Sequence, residues 1–157
     1  MSALASPEEA SAEAPPPWDW SLRVQVRWSD LDALGHVHHL AYLRWCEDAR
    51  NEHAVAVGLP APGSGACSQV ILRLDVHYLR PAPRDAELHM RMRVLRLGRT
   101  SAEVLCRLED PAQAQALFEA RVTTVICDDH THRPVPWPDA VRQRIAAVSP
   151  PAVTPKH

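Results

Sequence analysis

Arg27–Arg50, RWSDLDALGHVHHLAYLRWCEDAR, is the stretch whose reading decides how this chain folds. Its first part, SDLDALGH, is a turn or loop around Gly35. From His39 to Val57 the polar residues Arg44, Glu47, Asp48, Asn51 and Glu52 recur at helical spacing, with Tyr42, Trp45, Cys46, Ala49, Ala56 and Val57 on the other side. That 3.6-residue period predicts one long amphipathic helix, and Gly58 followed by Pro60 supplies its stop.

Outward from the helix the period changes to two. Upstream, Leu22–Trp28 (LRVQVRW) alternates apolar and polar positions, as a half-buried strand does. Downstream, Gln69–Tyr78 puts Val70, Leu72, Leu74, Val76 and Tyr78 on one face, and Ala86–Leu97 sets Leu88, Met90, Met92 and Val94 against Glu87, His89, Arg91 and Arg93. Ser101–Leu108 and Gln115–Cys127 alternate likewise, with turn signals at Gly98-Arg99 and at EDPAQ, 109–113. The expectation is four consecutive strands in an antiparallel meander. One helix and one sheet can bury each other's apolar faces, which gives an α+β two-layer domain. WPDAVRQRI adds a short helix starting at Pro138 or Asp139.

The 157 residues, 46% of them hydrophobic, suit one domain with one core. Residues 1–20, acidic and rich in Pro and Ala, read as a disordered tail. Residues 21–148 form the domain, and 149–157 a loose C-terminal tail. The N-terminus has neither the basic start nor the apolar stretch of a secretory signal. No apolar run approaches the ~18–20 residues of a membrane span, so the expected location is cytoplasmic. The net charge is -2, yet Glu8, Glu9, Glu13 and Asp19 precede the first base, Arg23, which leaves the remainder slightly positive. That excess is too small for a nucleic-acid-binding body. Nearly all the bases are arginines, good bidentate partners for phosphate. Cys46, Cys67, Cys106 and Cys127 form no C-x-x-C pair and read as free thiols in a reducing compartment.

The chemistry concentrates between the first strand and the helix. No Ser, Thr, Asp or Asn occupies His36–His39, so the usual side-chain cap is missing. Amides near Val37–His39 are then free to hold a developing oxyanion at the positive end of the helix dipole. Asp32 would approach the same carbonyl as a nucleophile, or as a base for water. A free aspartate, with a pKa of ~3.9, is ionised at neutral pH, and a thioester, whose thiolate leaves readily, is a suitable target. Ordinary turn chemistry is the competing reading of Asp30 and Asp32. His36, His38 and His39 lack a complete zinc ligand pattern, and no metal or cofactor is expected. Glu47 reads as solvated or paired with Arg44 or Arg50. The turn Arg99-Thr100-Ser101 offers a guanidinium and two hydroxyls for a phosphate or pantetheine, or is a plain hairpin tip; Arg80 and Arg84 are weaker candidates.

This stretch resembles the 4-hydroxybenzoyl-CoA thioesterase-like branch of the hotdog superfamily. The family pattern is met by Arg27, Asp30, Asp32, Gly35, His36, Val37 and Tyr42, followed by Glu47, Ala49 and Arg50. YLRPAPRDAELHMRMRVLRLGRTS and TTVICDDHTHRPVPWPDAVRQ resemble its later strands and tail, so the likeness covers about residues 22–146. It implies a hotdog fold, a five-stranded antiparallel sheet wrapped on one long central helix, and hydrolysis of an acyl-CoA to a free acid and CoA. Asp32 is then the catalytic carboxylate and His39 supplies the polarising amide; apart from the resemblance, His36 is counted with them as a substrate-positioning donor. Gly35, Val37, Tyr42, Arg99, Thr100 and Ser101 are expected to meet substrate. Relatives often carry two asparagines where this chain has His38 and His39. The resemblance also implies a homodimer or homotetramer with sites at subunit junctions. The alternatives are a thioesterase acting on acyl carrier protein, a non-catalytic acyl-CoA-binding hotdog protein and a dehydratase of the same fold.

Overall fold

The computed structural model describes residues 18–148. Most of the expected N-terminal tail and all of residues 149–157 lie outside the described residues. Eight segments follow in order: β1 (Trp20–Gln25), a single 3-10 turn (Trp28–Asp30), α1 (His39–Ala56), β2 (Cys67–Tyr78), β3 (Glu87–Leu97), β4 (Ser101–Asp110), β5 (Gln115–Asp128) and α2 (Asp139–Val148). The strands form one antiparallel sheet in the order β1-β3-β4-β5-β2. Helix α1 lies across β1, β3 and β4. This is the α+β arrangement of the hotdog fold.

The expected helix and strands are present, with the strand ends moved by a few residues. β1 starts earlier than the alternation suggested, because Trp20 pairs with Met92 and the Asp19 amide donates to the Met92 carbonyl. It ends at Gln25, before the 3-10 turn that opens the loop to α1.

The meander is a correction. Only β3, β4 and β5 are joined as neighbours; β2 pairs with β5 at the far edge. The link 79–86, LRPAPRDA, cannot make a tight hairpin, since Pro81 and Pro83 have no amide to donate. It instead crosses the end of the sheet, where the Leu79 and Arg80 amides donate to the Leu117 carbonyl and the Ala82 amide donates to the Tyr42 hydroxyl (2.9 Å). The face assigned to β2 is also corrected. A register shift between Ile71 and Arg73 leaves Leu72 unpaired, so Ile71 faces Thr124 while Val70 faces Val125. Ile71 therefore joins Leu74, Val76 and Tyr78 on the helix side, and Val70 points to the other. An extra residue in one strand leaves no mark in an alternating sequence.

The core lies between α1 and the sheet. Tyr42, Trp45, Cys46 and Ala49 of α1 meet Leu88, Met90 and Met92 of β3, Val104, Cys106 and Leu108 of β4, and Phe118, Ala120 and Val122 of β5. At the start of α1, Tyr42, Tyr78 and Phe118 pack ring on ring, with centroids 5.3–5.5 Å apart. The other end of α1 is closed by α2. Arg144 donates to the Val57 carbonyl (3.2 Å), and its guanidinium fills the space a side chain at Gly58 would need. Truncation of Phe118, which is fully buried, removes the ring that joins sheet to helix start. Phe118→Ala should cost about 3–5 kcal/mol of folding free energy, measured by urea denaturation.

Candidate active site

The sequence from Arg27 to Leu40 builds a loop that returns on itself before the helix begins. The Asp32 amide donates to the His36 carbonyl (2.7 Å), and the His38 amide donates to the Asp30 carbonyl (2.8 Å), so Leu31 and Val37 face each other as a one-residue antiparallel bridge. Gly35 turns the chain at φ +76°, in the left-handed region that favours glycine.

The two aspartates have different work. Asp30 is buried; its Oδ2 accepts from the Arg27 amide (2.8 Å), and its Oδ1 is paired with the Arg44 guanidinium. It holds the loop. Asp32 is more open, and its Oδ1 accepts from the Leu34 amide (2.9 Å) and the His36 amide (3.0 Å). Its Oδ2 has no hydrogen-bond partner among the described residues. The His36 amide, helped by the Leu34 amide and the nearby His36 and His38 rings, holds the Asp32 carboxyl below its usual range against a smaller opposing effect of desolvation. One oxygen is fixed, and the other is free to react.

The amides at the start of α1 alternate between used and free. The His36 and His38 amides are taken by Asp32 and Asp30, and the Ala41 amide donates to the His38 carbonyl. The expectation of an uncapped helix is corrected, because the His38 ring takes the cap: its Nδ1 accepts from the Leu40 amide at 3.2 Å. That requires a proton-free Nδ1, and the ring stacks on His39 with centroids 4.4 Å apart. Two amides, those of Val37 and His39, donate to no acceptor among the described residues. The expected oxyanion donor at His39 is one of them.

The other expected site residues divide into three groups. His36 contributes its main chain to the Asp32 loop, while its ring is exposed and makes no hydrogen bond among the described residues. Val37 and Tyr42 are buried; the Tyr42 hydroxyl accepts from Ala82, and burial raises its pKa. Arg99, Thr100 and Ser101 lie at the opposite end of the sheet. β3 runs from Glu87, paired with Gln25 near the Asp32 loop, to Leu97 at the hairpin tip. Its 11 residues span roughly 33 Å at 3.3 Å each. The tip is also tied down, with Trp137 donating to the Arg99 and Ser101 carbonyls and Arg142 to that of Gly98. Within one chain these residues do not meet Asp32. Glu47 is exposed and forms no ion pair with Arg44 or Arg50, since Arg44 is drawn to Asp30.

Tyr78 went unnoticed as a site residue. Its hydroxyl donates to the carbonyl of His39 (3.2 Å), the residue whose amide is free, and it is 46% exposed. The only sequence signal was an aromatic residue closing a strand. Leu34 and Leu40 stand exposed at the same end. Among the described residues, no three histidine, cysteine or carboxylate side chains are grouped so as to hold a metal ion.

A five-stranded antiparallel sheet packed on one long helix is the arrangement of the hotdog thioesterases. The profile of the thioesterase-like superfamily matches residues 26–145, and the chain belongs to that family. It is 28% identical over 136 residues to a 1,4-dihydroxy-2-naphthoyl-CoA hydrolase of Synechococcus sp. (strain WH7803), covering 80% of this chain and 88% of that one. It is 24% identical over 135 residues to the acyl-CoA thioesterase YbgC of Helicobacter pylori (strain J99), covering 81% and 100%. Among solved structures, a thioesterase from Thermus thermophilus complexed with coenzyme A and zinc superposes with a TM-score of 0.75, at 29% identity, over 87% of this chain and 98% of that one.

The division of labour between the aspartates can be tested on stability alone. Asp30→Asn removes the charge paired with Arg44 and should cost about 1.5–3 kcal/mol. Asp32→Asn keeps a carbonyl oxygen for both amides and should stay within about 0.5 kcal/mol of the parent. Chemical denaturation of both variants checks the contrast.

Proposed function

We propose that this protein hydrolyses acyl-CoA thioesters to the free carboxylic acid and CoA, with Asp32 as the catalytic carboxylate. The observation that carries the reading is the half-held carboxylate: Oδ1 fixed by two amides, Oδ2 unpartnered, in the loop that leads into a helix whose His39 amide is free. Oδ2 adds to the thioester carbonyl carbon, and the carbonyl oxygen takes the negative charge and is met by the His39 N–H. Such a donor contributes about 3 kcal/mol to the transition state. The C–S bond then breaks, CoA leaves as its thiolate, and water cleaves the mixed anhydride to return the acid and the aspartate. The lowered pKa of Asp32 keeps the carboxylate ionised at neutral pH, which direct attack requires.

The assembly is part of the same proposal. β2 is an edge strand, and Ile71, Leu72, Leu74 and Tyr78 along it are 41–65% exposed. Edges of this kind are normally covered. We propose that a second copy covers it: a two-fold axis makes the β2–β2 pairing antiparallel. Each chain's Tyr78 end then lies beside the other's Cys67 end, and Arg99–Ser101 can approach Asp32 only from the partner. The reading also places the protein in the cytoplasm, in keeping with four free cysteines. No helix among the described residues is long and apolar enough to cross a membrane.

Asp32→Asn should lower turnover of acyl-CoA substrates by at least about a hundredfold, and wild-type turnover in that variant would refute the assignment. Single-turnover hydrolysis in heavy-oxygen water should carry label into Asp32 by way of the anhydride. Because the Asp32 carboxyl is held low, its anion persists into acid, and the acidic limb of kcat/KM should fall below pH ~4. A limb near pH 6–7 would implicate a histidine instead. Sedimentation should give a dimer or larger, and Leu74→Arg should produce a monomer.

A further inference from the structure

The end of α1 farthest from Asp32 buries a cation that no carboxylate neutralises. Arg23, Arg44, Arg91, Arg107 and Arg121 are each paired with an aspartate or glutamate, and all five are more exposed than Arg50. Arg50 is only 6% exposed and forms no ion pair among the described residues. Its guanidinium reaches the Cys46 thiol one turn earlier, a weak acceptor. His53, one turn later, is 5% exposed. Arg50 Nε and His53 Nε2 are both buried and have no hydrogen-bond partner among the described residues.

Both residues line one small cavity between α1, the sheet and α2, with walls from Val57, Met92, Trp137 and Ile145. No aspartate or glutamate lines it. Its polar side chains come together as donors. Gln69 Oε1 is taken by the Thr124 hydroxyl (3.1 Å), which leaves the Gln69 amide nitrogen to donate elsewhere. The His53 ring donates in its neutral form when the proton sits on Nε2. Asp19, whose charge acts on His53, accepts from the Val94 amide (2.7 Å) and does not line the cavity. A water molecule would satisfy a donor here but would bring no charge, and a cation buried without a counter-charge is costly.

Size narrows the ligand. The cavity is about 20 Å³, slightly more than the ~10–15 Å³ that one water needs. A single small ion fits, and an acyl chain or a nucleotide does not. His53 lies 14 residues beyond His39 on α1, roughly 21 Å at 1.5 Å per residue, so the cavity is separate from the Asp32 loop.

We propose that this cavity binds one monovalent anion of about the size of chloride, held by Arg50, His53 and Gln69, at the junction of α1, α2 and the sheet. The site does not depend on the thioesterase reading. An ion that binds only the folded chain raises stability with its concentration.

Crystals of the full chain soaked in sodium bromide should show an anomalous peak within hydrogen-bond reach of Arg50 and Gln69. In solution, Tm should be about 2–4 °C higher in sodium chloride than in sodium gluconate at equal ionic strength, because gluconate is too large to enter. Arg50→Met, which keeps an apolar stem, should abolish that difference, and Gln69→Ala should weaken the apparent chloride affinity about tenfold. Should Arg50→Met not fold, the bromide map and the Gln69 variant decide. The inference is overturned if the cavity holds only water, or if either folded variant keeps the parent's chloride response. A bromide peak with equal Tm in chloride and gluconate, binding at crystal concentration only, would also overturn it.

Discussion

The buried carboxylate of Asp30 is the constraint on which the rest depends. A charged side chain removed from water must find partners, and Asp30 finds them at three levels: the Arg27 amide before it, the Arg44 guanidinium on the second turn of α1 and, through its main-chain carbonyl, the His38 amide at the helix cap. Strand end, loop and helix are tied to one residue. The loop so closed has no freedom to place Asp32 elsewhere, and the Leu34 and His36 amides then fix one of its oxygens. The candidate catalytic residue is positioned by a buried neighbour two places away.

The helix and the strand count were legible because both rest on periodicity over many residues, and α1 spans His39–Ala56 where the pattern called for His39–Val57. The strand order was not. Periodicity states which face of a strand is apolar and nothing about its neighbour, so the crossing of β2 to β5 was readable only in Pro81 and Pro83. The bulge at Leu72 escaped for a related reason, as an extra residue inside an apolar run leaves the composition of the strand unchanged. At the site, the motif alone could not separate Asp30 from Asp32 on physical grounds. Burial does so at once, and burial is a property of the fold. The cap supplied by His38 was missed because imidazole is outside the usual capping set, although an unprotonated ring nitrogen accepts a hydrogen bond as well as a hydroxyl does.

Under the proposed function the single chain carries an unfinished site. Tyr78, Leu34, Leu40 and the helix-side row of β2 leave apolar surface open around Asp32 and the His39 amide. An acyl group in such a place would be wetted on one side. In the proposed dimer, a second copy seated on β2 would remove that water and raise the effective strength of every charge and dipole at the helix start. Edge protection and catalysis then ask for the same interface.

That exclusion of water also answers an objection to Asp32. A carboxylate stabilised by two amides is always ionised but is a poor nucleophile for the same reason that its pKa is low. The amides act on Oδ1, however, and Oδ2 accepts no hydrogen bond among the described residues. An acyl chain and a second subunit seated as proposed would shield Oδ2 from water, and the free oxygen would lose stabilisation while the fixed one keeps it. In the proposed reaction the anion would become more reactive without being protonated, and the charge it passes to the thioester oxygen would be received by the His39 amide. Holding one oxygen and leaving the other open would thus keep the residue ionised in the resting protein and, under the proposed function, reserve its reactivity for the moment substrate binds.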